Sequence, residues 1–321
     1  IQPMKKLFLT FTGLFFSLIL TAQSASSKVV TTRVGILNGP SCIPVAKLIE
    51  DSTSVLDIEL SFEKFPDPQA LLPKLLKNEI DIGFLPINVA AKVYNSSSKA
   101  ILCAGISGYG NLAIITKDKN IKNLSDLEGK TLYVAGQGST PEYMLKFLLS
   151  KNKLIDKVIM DFSIPTASLA PALISDKIEY ALVPEPFATI VSIKDSSVFY
   201  AIDLQKEYKS LTKSDNYPLT CIVVNSRFAK QKPESVKTFL HQYKKSALWT
   251  VENPAQAGIL CEKADLGLAP AIVTKTLPKS NYKYIPAADA RKDSEAMLKI
   301  FMENDKSSIG GKLPDKDFYL K

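Results

Sequence analysis

The sequence predicts an α/β protein of two lobes, each a mostly parallel sheet flanked by helices. Three observations carry this expectation: an internal repeat, an alternation of strand-like and helix-like runs, and a length that accommodates two domains. The repeat is the strongest. Residues 70–93 (ALLPKLLKNEIDIGFLPINVAAKV) align without a gap on residues 168–191 (SLAPALISDKIEYALVPEPFATIV). Leu71, Pro73, Leu75, Ile80, Pro86, Ala90 and Val93 recur as Leu169, Pro171, Leu173, Ile178, Pro184, Ala188 and Val191, and Asp81 recurs as Glu179. Each copy reads as helix, polar turn, short apolar strand, proline and helix. The same offset pairs the loop at Ser41 with the loop at Ser139, each after a strand-like run (33–37 and 131–135). One α/β unit is therefore used twice, which suggests two lobes gripping something between them. At 321 residues the chain can form two domains of ordinary size, and its 46% apolar content suffices for a real core.

The elements follow in order. Val29–Leu37 alternates and reads as a strand, Pro44–Asp51 as a helix, Asp57–Phe65 as a strand and Pro68–Asn78 as a helix. Ile80–Leu85 is a strand and Asn88–Tyr94 a helix. Strands alternating with helices predict parallel pairing. Ala100–Ile106 and Asn111–Thr116 read as strands separated by Ser107-Gly108-Tyr109-Gly110, a flexible exit from the first lobe. The second copy begins with Lys130–Ala135, followed by a helix over Glu142–Ser150 and strands over Lys157–Phe162 and, after the repeated block, Val198–Ile202. Leu219–Asn225 is strand-like and can return to the first lobe. Pro233–Asn253, Pro254–Lys263, Pro270–Thr276 and Ala288–Asn304 read as helices that pack on it. The expected division is residues 28–107 plus 222–321 for the first lobe and 108–221 for the second. The chain then crosses twice, near 107–111 and 217–222, and paired crossings make a hinge.

The N-terminus reads as a secretory signal over residues 1–24. Lys5 and Lys6 precede the apolar run Leu7–Leu20, and small residues (Thr21-Ala22-Gln23-Ser24-Ala25) follow. The run is shorter than the ~20 apolar residues of a spanning helix. Cleavage after Ser24 is expected, with Met4 as the start and Ile1–Pro3 an extension ahead of it, which gives an exported chain. The formal charge of +8 becomes +6 once Lys5 and Lys6 are removed. The lysines are dispersed, whereas a nucleic-acid patch needs clustering, so no nucleic-acid partner is expected.

Cys42, Cys103, Cys221 and Cys261 are widely spaced, and no CxxC occurs. Export permits disulfides, but the spacing selects no pairing, and buried free thiols are the default. His241 is the only histidine. That excludes a histidine-rich zinc site and any second histidine-based catalytic centre. No metal, cofactor or catalytic residue is expected.

Ligands of open α/β sheets bind outside the carboxyl ends of the strands. The loops there hold the candidate contacts: Asn38, Ser41, Cys42, Asn88, Tyr109, Gly138, Ser139, Thr140, Tyr143, Thr166, Glu185 and Phe187. In GQGSTPE (136–142), Ser139 and Glu142 have capping-box spacing, and Pro141 sits in the first turn, where no donor is needed. Free amides at such a start can hold an anion; a plain helix cap is the alternative. It is not a phosphate loop, since GxxxxGK[ST] is absent. Asn88 and Glu185 follow the equivalent prolines, either as cleft groups or as a helix cap and a solvated acid. Phe187, Tyr109 and Tyr143 either stack on a flat ligand or belong to the core. Asp81 and Glu179 read as solvated turn residues.

The segments NEIDIGFLPINVAAKVYN, DLEGKTLYVAGQGSTPEYMLKFLL, ALVPEPFAT and SSIGGKLPDKDFYLK resemble solute-binding proteins of ABC importers, of the nitrate/sulfonate/taurine and thiamine-precursor group. The resemblance runs from about Val29 to the end. It implies the type II periplasmic-binding-protein fold with two crossover hinge segments, a periplasmic location, closure around a small solute, and delivery to an ABC permease with its ATPase. A monomer is expected. It also implies solute contacts from the GQGST and PEPF loops, but it does not choose between a sulfonate-like anion and a heteroaromatic vitamin precursor. Enzymes on the same scaffold, of the thiamine-pyrimidine or menaquinone-pathway type, and a ligand-presenting sensor are the alternatives. The synthase type uses a cysteine-rich motif and a histidine, neither of which has a suitable setting here.

Overall fold

The computed structural model describes residues 31–52 and 58–321; the expected signal segment lies outside the described residues. The first lobe opens with β1 (Thr31–Leu37), a 3-10 turn (Pro40–Val45), α1 (Ala46–Asp51), β2 (Glu59–Phe65), α2 (Pro68–Leu76), β3 (Ile82–Pro86), α3 (Ile87–Ser96) and β4 (Ile101–Tyr109). The second lobe follows as β5 (Leu112–Thr116), β6 (Thr131–Val134), α4 (Thr140–Lys151), β7 (Ile159–Asp161), α5 (Thr166–Ile174), β8 (Tyr180–Pro184), α6 (Phe187–Lys194), β9 (Phe199–Asp203) and α7 (Leu204–Thr212). The chain returns through β10 (Pro218–Asn225), α8 (Ser226–Gln231), α9 (Pro233–Glu252), α10 (Pro254–Lys263), α11 (Pro270–Thr276), β11 (Tyr282–Pro286) and α12 (Ala287–Asn304).

Two sheets result, with orders β11-β4-β10-β3-β1-β2 and β7-β6-β8-β5-β9. From β4 to β2 the first order repeats in the second, with β9, β5, β8, β6 and β7 in the places of β4, β10, β3, β1 and β2. Burial follows the pattern expected of position in a sheet. The inner strands β3 (IGFLP) and β8 (YALVP) are near-continuous apolar runs, while the edge strand β2 (ELSFEKF) is exposed at alternate positions. The sheets are mixed rather than parallel throughout. In the first sheet β10 is antiparallel to β3 and β4, and the edge strand β11 to β4; in the second β5 is antiparallel to β8 and β9.

Local chemistry fixes the helices. Asp67 Oδ1 accepts from Ala70 N at 2.9 Å and caps α2, as Asp203 caps α7 by accepting from Gln205 N at 2.9 Å. Gly35 lies under α2, where a Cβ would run into Leu71. Asp81, expected to be solvated, is buried. It accepts from the Arg33 backbone (2.9 Å), from Nε (2.9 Å) and from Nη2 (2.6 Å), and so ties β1 to the start of β3. Glu179 is exposed. The expected break at Ser107–Gly110 comes later, because Ser107, Gly108 and Tyr109 remain in β4 opposite β10.

The main apolar core runs from the first sheet across the crossing segments into the α4 and α7 side of the second sheet; a separate cluster fills the α5–α6 side. The crossings lie at 110–111, between β4 and β5 of different sheets, and at 213–217, between α7 and β10. They are knitted together. Gly110 N donates to Tyr217 O (2.9 Å), and Asn281 Nδ2 donates to Gly110 O (2.6 Å). Wholly buried Tyr217 donates to Gln205 Oε1 (2.7 Å), which also accepts from Leu112 N (2.9 Å). The C-terminal tail clasps the first lobe. Leu320 N bonds Cys103 O (2.8 Å), Tyr94 OH bonds Asp315 (2.5 Å), and Lys99 pairs with Asp315 and Asp317.

Candidate functional site

The carboxyl ends of β1 and β3 in one lobe, and of β6 and β8 in the other, lead into the loops that hold most of the candidate contacts. These residues fall into three sets. Asn38, Asn88, Thr140 and Thr166 are exposed or half-buried, and their side chains make no hydrogen bond among the described residues. Asn88 does not cap α3, whose N-cap is Pro86. Ser41 and Phe187 are also half-buried, with the Ser41 hydroxyl 3.8 Å from the Cys42 sulfur.

The second set is polar but internally satisfied. The expected capping box at α4 takes another form. The Ser139 hydroxyl donates backward to Gly136 O and makes no cap bond to the helix. Glu142 accepts from Gly138 N (2.6 Å) and pairs with Lys146 (2.5 Å). The tight turn needs Gly136 (φ 67°) and Gly138 (φ 70°) in the left-handed region. The first amides of α4 are thus left without a side-chain cap, and the nearby carboxylate is neutralised. Glu185, buried at the end of β8, accepts from Tyr200 OH (2.6 Å) and Thr189 N (3.2 Å). Its peptide bond to Pro186 is cis.

The third set is packed inside. Cys42 is fully buried, and burial pushes its thiol up to about 12. Tyr109 is buried in β4, where desolvation raises its hydroxyl well above the ordinary value. Tyr143 packs edge-on against Phe301 of α12 (centroids 5.4 Å apart, 87°) and so joins the lobes. All four cysteines are free and buried. Among the described residues no group of His, Cys, Asp or Glu is arranged to hold a metal, and no helix is long and apolar enough to cross a membrane.

A cavity of about 610 Å³ opens at the carboxyl ends of β8 and β9. Asn111, Glu185, Tyr200, Asp203, Gln205 and Glu207 line it from the second lobe, and Pro278 and Lys279 line it from the first. Among the candidate contacts only Glu185 reaches it. Burial, and secondarily the charge of Asp203, raises the Glu207 carboxyl above the usual range. Lys279 Nζ sits 3.8 Å from the centre of the Tyr200 ring. Sequence reading missed Tyr200 and Lys279. Tyr200 lies outside the repeated block, and the Lys279 segment has no counterpart in the repeat.

Two sheets of one strand order, crossed twice and meeting at strand-end loops, make this the two-lobed fold of type II periplasmic binding proteins. Comparison with known proteins agrees. Residues 104–257 match the family model described as NMT1/THI5 like. No curated protein matches the chain. Among solved structures, an ABC transporter protein from Parabacteroides distasonis is 24% identical with a TM-score of 0.77, covering 91% of this chain and 99% of its own. The periplasmic aliphatic sulphonate binding protein SsuA of Escherichia coli is 15% identical (TM-score 0.69; 90% and 98% covered). The periplasmic nitrate-binding protein NrtA of Synechocystis is 12% identical (TM-score 0.60; 91% and 87%). At these identities the likeness is one of fold.

Proposed function

We propose that this chain is the non-catalytic substrate-binding component of an ABC importer. It captures a small solute between its lobes and delivers it to a membrane permease with its ATPase, working as a monomer in the periplasm after removal of its signal segment. One observation carries the reading: strand-end loops of both lobes present polar side chains, Asn38 and Asn88 on one side and Thr140 and Thr166 on the other, that have no internal partner among the described residues. Polar groups left unspent at the carboxyl ends of strands are where this class of sheet holds ligands.

The arrangement favours an anionic solute group, such as a sulfonate, at the start of α4. The amides there carry the positive end of the helix dipole. The Ser139 hydroxyl is turned away from them, and Glu142, paired with Lys146, takes the Gly138 amide and leaves those of the helix itself without a side-chain cap. Glu185, the candidate partner for a heteroaromatic base, is already engaged by Tyr200 and Thr189. Solute bound to one lobe draws the other across, bending at residues 110–111 and 213–217. Closure follows because the solute gains contacts with the second lobe only in the closed form.

A thermal-shift panel of alkanesulfonates, nitrate and pyrimidines tests the reading. A binding solute at 100 times its Kd stabilises by about 2.7 kcal/mol. The expected result is stabilisation by an anion, abolished in Thr140→Pro, and mass spectrometry should return the solute chemically unchanged. Stabilisation by no member of the panel counts against capture, and turnover of the bound compound counts against a non-catalytic role.

A further inference from the structure

Lys279 belongs to the first lobe, in the 3-10 turn Leu277–Lys279 that follows α11. That turn is firmly seated: Leu277 is buried, and the Ser280 hydroxyl donates to Thr276 O at 3.0 Å. The Lys279 side chain nevertheless ends on the other lobe, its ammonium 3.8 Å from the centre of the Tyr200 ring. Tyr200 is itself held. It sits in β9 opposite Ile115 of β5, its hydroxyl donates to Glu185 Oε1 (2.6 Å), and Thr189 Oγ1 lies 3.0 Å from the same hydroxyl. A phenol donating to a carboxylate carries extra electron density on its ring, and the ring face attracts cations. Ammonium, ring and buried carboxylate therefore form one chain of contacts running from lobe to lobe along the lining of the cavity.

The position of these contacts matters as much as their chemistry. On the α4 side the lobes share a continuous core, with Tyr143 packed on Phe301 and the crossings bound to each other through Gly110 and Tyr217. The α5–α6 side has its own separate apolar cluster. On that side no apolar core bridges the lobes among the described residues, so side-chain contacts between them carry the hold. Lys279 and Tyr200 meet there, Tyr200 against this cluster and Lys279 two residues before Asn281, which donates to Gly110 O at the crossing.

We infer that Lys279 is a latch: its ammonium on the Tyr200 ring holds the lobes together in the absence of solute and sets how readily they open to admit one. The use of the latch rests on the solute-capture reading above, but its existence does not, since it acts on the free chain. A cation–π contact of this kind shifts an equilibrium by about two- to tenfold.

The test places spin labels on Lys194→Cys in the second lobe and Lys230→Cys in the first. Both positions are exposed, and the four native thiols are buried. Any co-purified solute is first stripped by dialysis from denaturant, and interlobe distances are then recorded by pulsed electron resonance on the solute-free chain. Lys279→Met is expected to raise the open-to-closed ratio about two- to tenfold. Tyr200→Phe, which keeps the ring but removes the bond to Glu185, should move it the same way by less, and Lys279→Arg, which keeps a cation over the ring, should stay near the parent. A Lys279→Met distribution identical to the parent overturns the latch, and so does an Arg variant as open as the Met variant. Because no solute is present, the distances decide the role of Lys279 even for a chain that binds nothing in the panel.

Discussion

Replacing Gly110 by alanine tests the crossing segments directly. Gly110 is not in the left-handed region; its requirement is space. A Cβ there would overlap the Tyr217 ring and crowd Asn216 Oδ1. Tyr217 cannot step aside cheaply. It is fully buried, packs edge-on against Tyr208 at 5.2 Å, and spends its hydroxyl on Gln205 at 2.7 Å. Forcing an extra carbon into such packing costs about 1–3 kcal/mol, and displacing the ring loses a hydrogen bond worth about 0.5–1.5 kcal/mol. The expected destabilisation is about 2–4 kcal/mol by chemical denaturation. Gly108→Ala two residues earlier is the control. Its Cβ would meet Thr220 at 3.4 Å, an ordinary contact, and a strand alanine restricts the unfolded chain, so its stability should match or exceed the parent by up to about 1 kcal/mol. If Gly110→Ala denatures within about 0.5 kcal/mol of the parent, the tight packing at the crossing is refuted.

Two further predictions concern the tail and the thiols. The bond from Tyr94 OH, followed by the Lys99 charge, holds the Asp315 carboxyl down to about 2 from 3.8. A carboxyl depressed by folding adds stability above its unfolded value and loses it as pH falls toward the folded one. The parent should therefore lose more stability than Asp315→Asn between pH 3.8 and about pH 2; parallel curves over that window would contradict the clasp. The thiols of Cys42, Cys103, Cys221 and Cys261 are buried, with Cys42 and Cys261 pushed up to about 12 by desolvation. A thiol reagent should therefore find none in the native chain and all four in denaturant, and rapid native labelling of Cys42 would place it in the open instead.

Much of the architecture was legible because it rests on apolar periodicity and repetition. The ungapped match of 70–93 to 168–191 corresponds to α2 and α5, and to β3 and β8, at identical offsets. The antiparallel returns of β10 and β5 were not legible, because a buried strand reads as an apolar run whichever way it points. Nor was β11, whose YKYIP is short and ends in proline. At the candidate site, sequence located the strand-end loops but could not say which polar groups the fold consumes. Spacing alone suggested that Ser139 caps α4; the left-handed Gly136 and Gly138 instead swing that hydroxyl back to Gly136 O. Asp81 looked like a turn residue because its partner, Arg33, lies 48 positions away. Lys279 and Tyr200 meet only through the return of the chain to the first lobe, which no local pattern records.

Capture of a small solute between the lobes is what the fold is proposed to perform. Its most direct test is native mass spectrometry of the chain, without its signal segment and without added ligand, followed by denaturation and identification of anything released. One small anionic molecule per chain is expected, absent from a Thr140→Pro preparation. A chain that carries nothing and takes up no member of a sulfonate, nitrate and pyrimidine panel would contradict it.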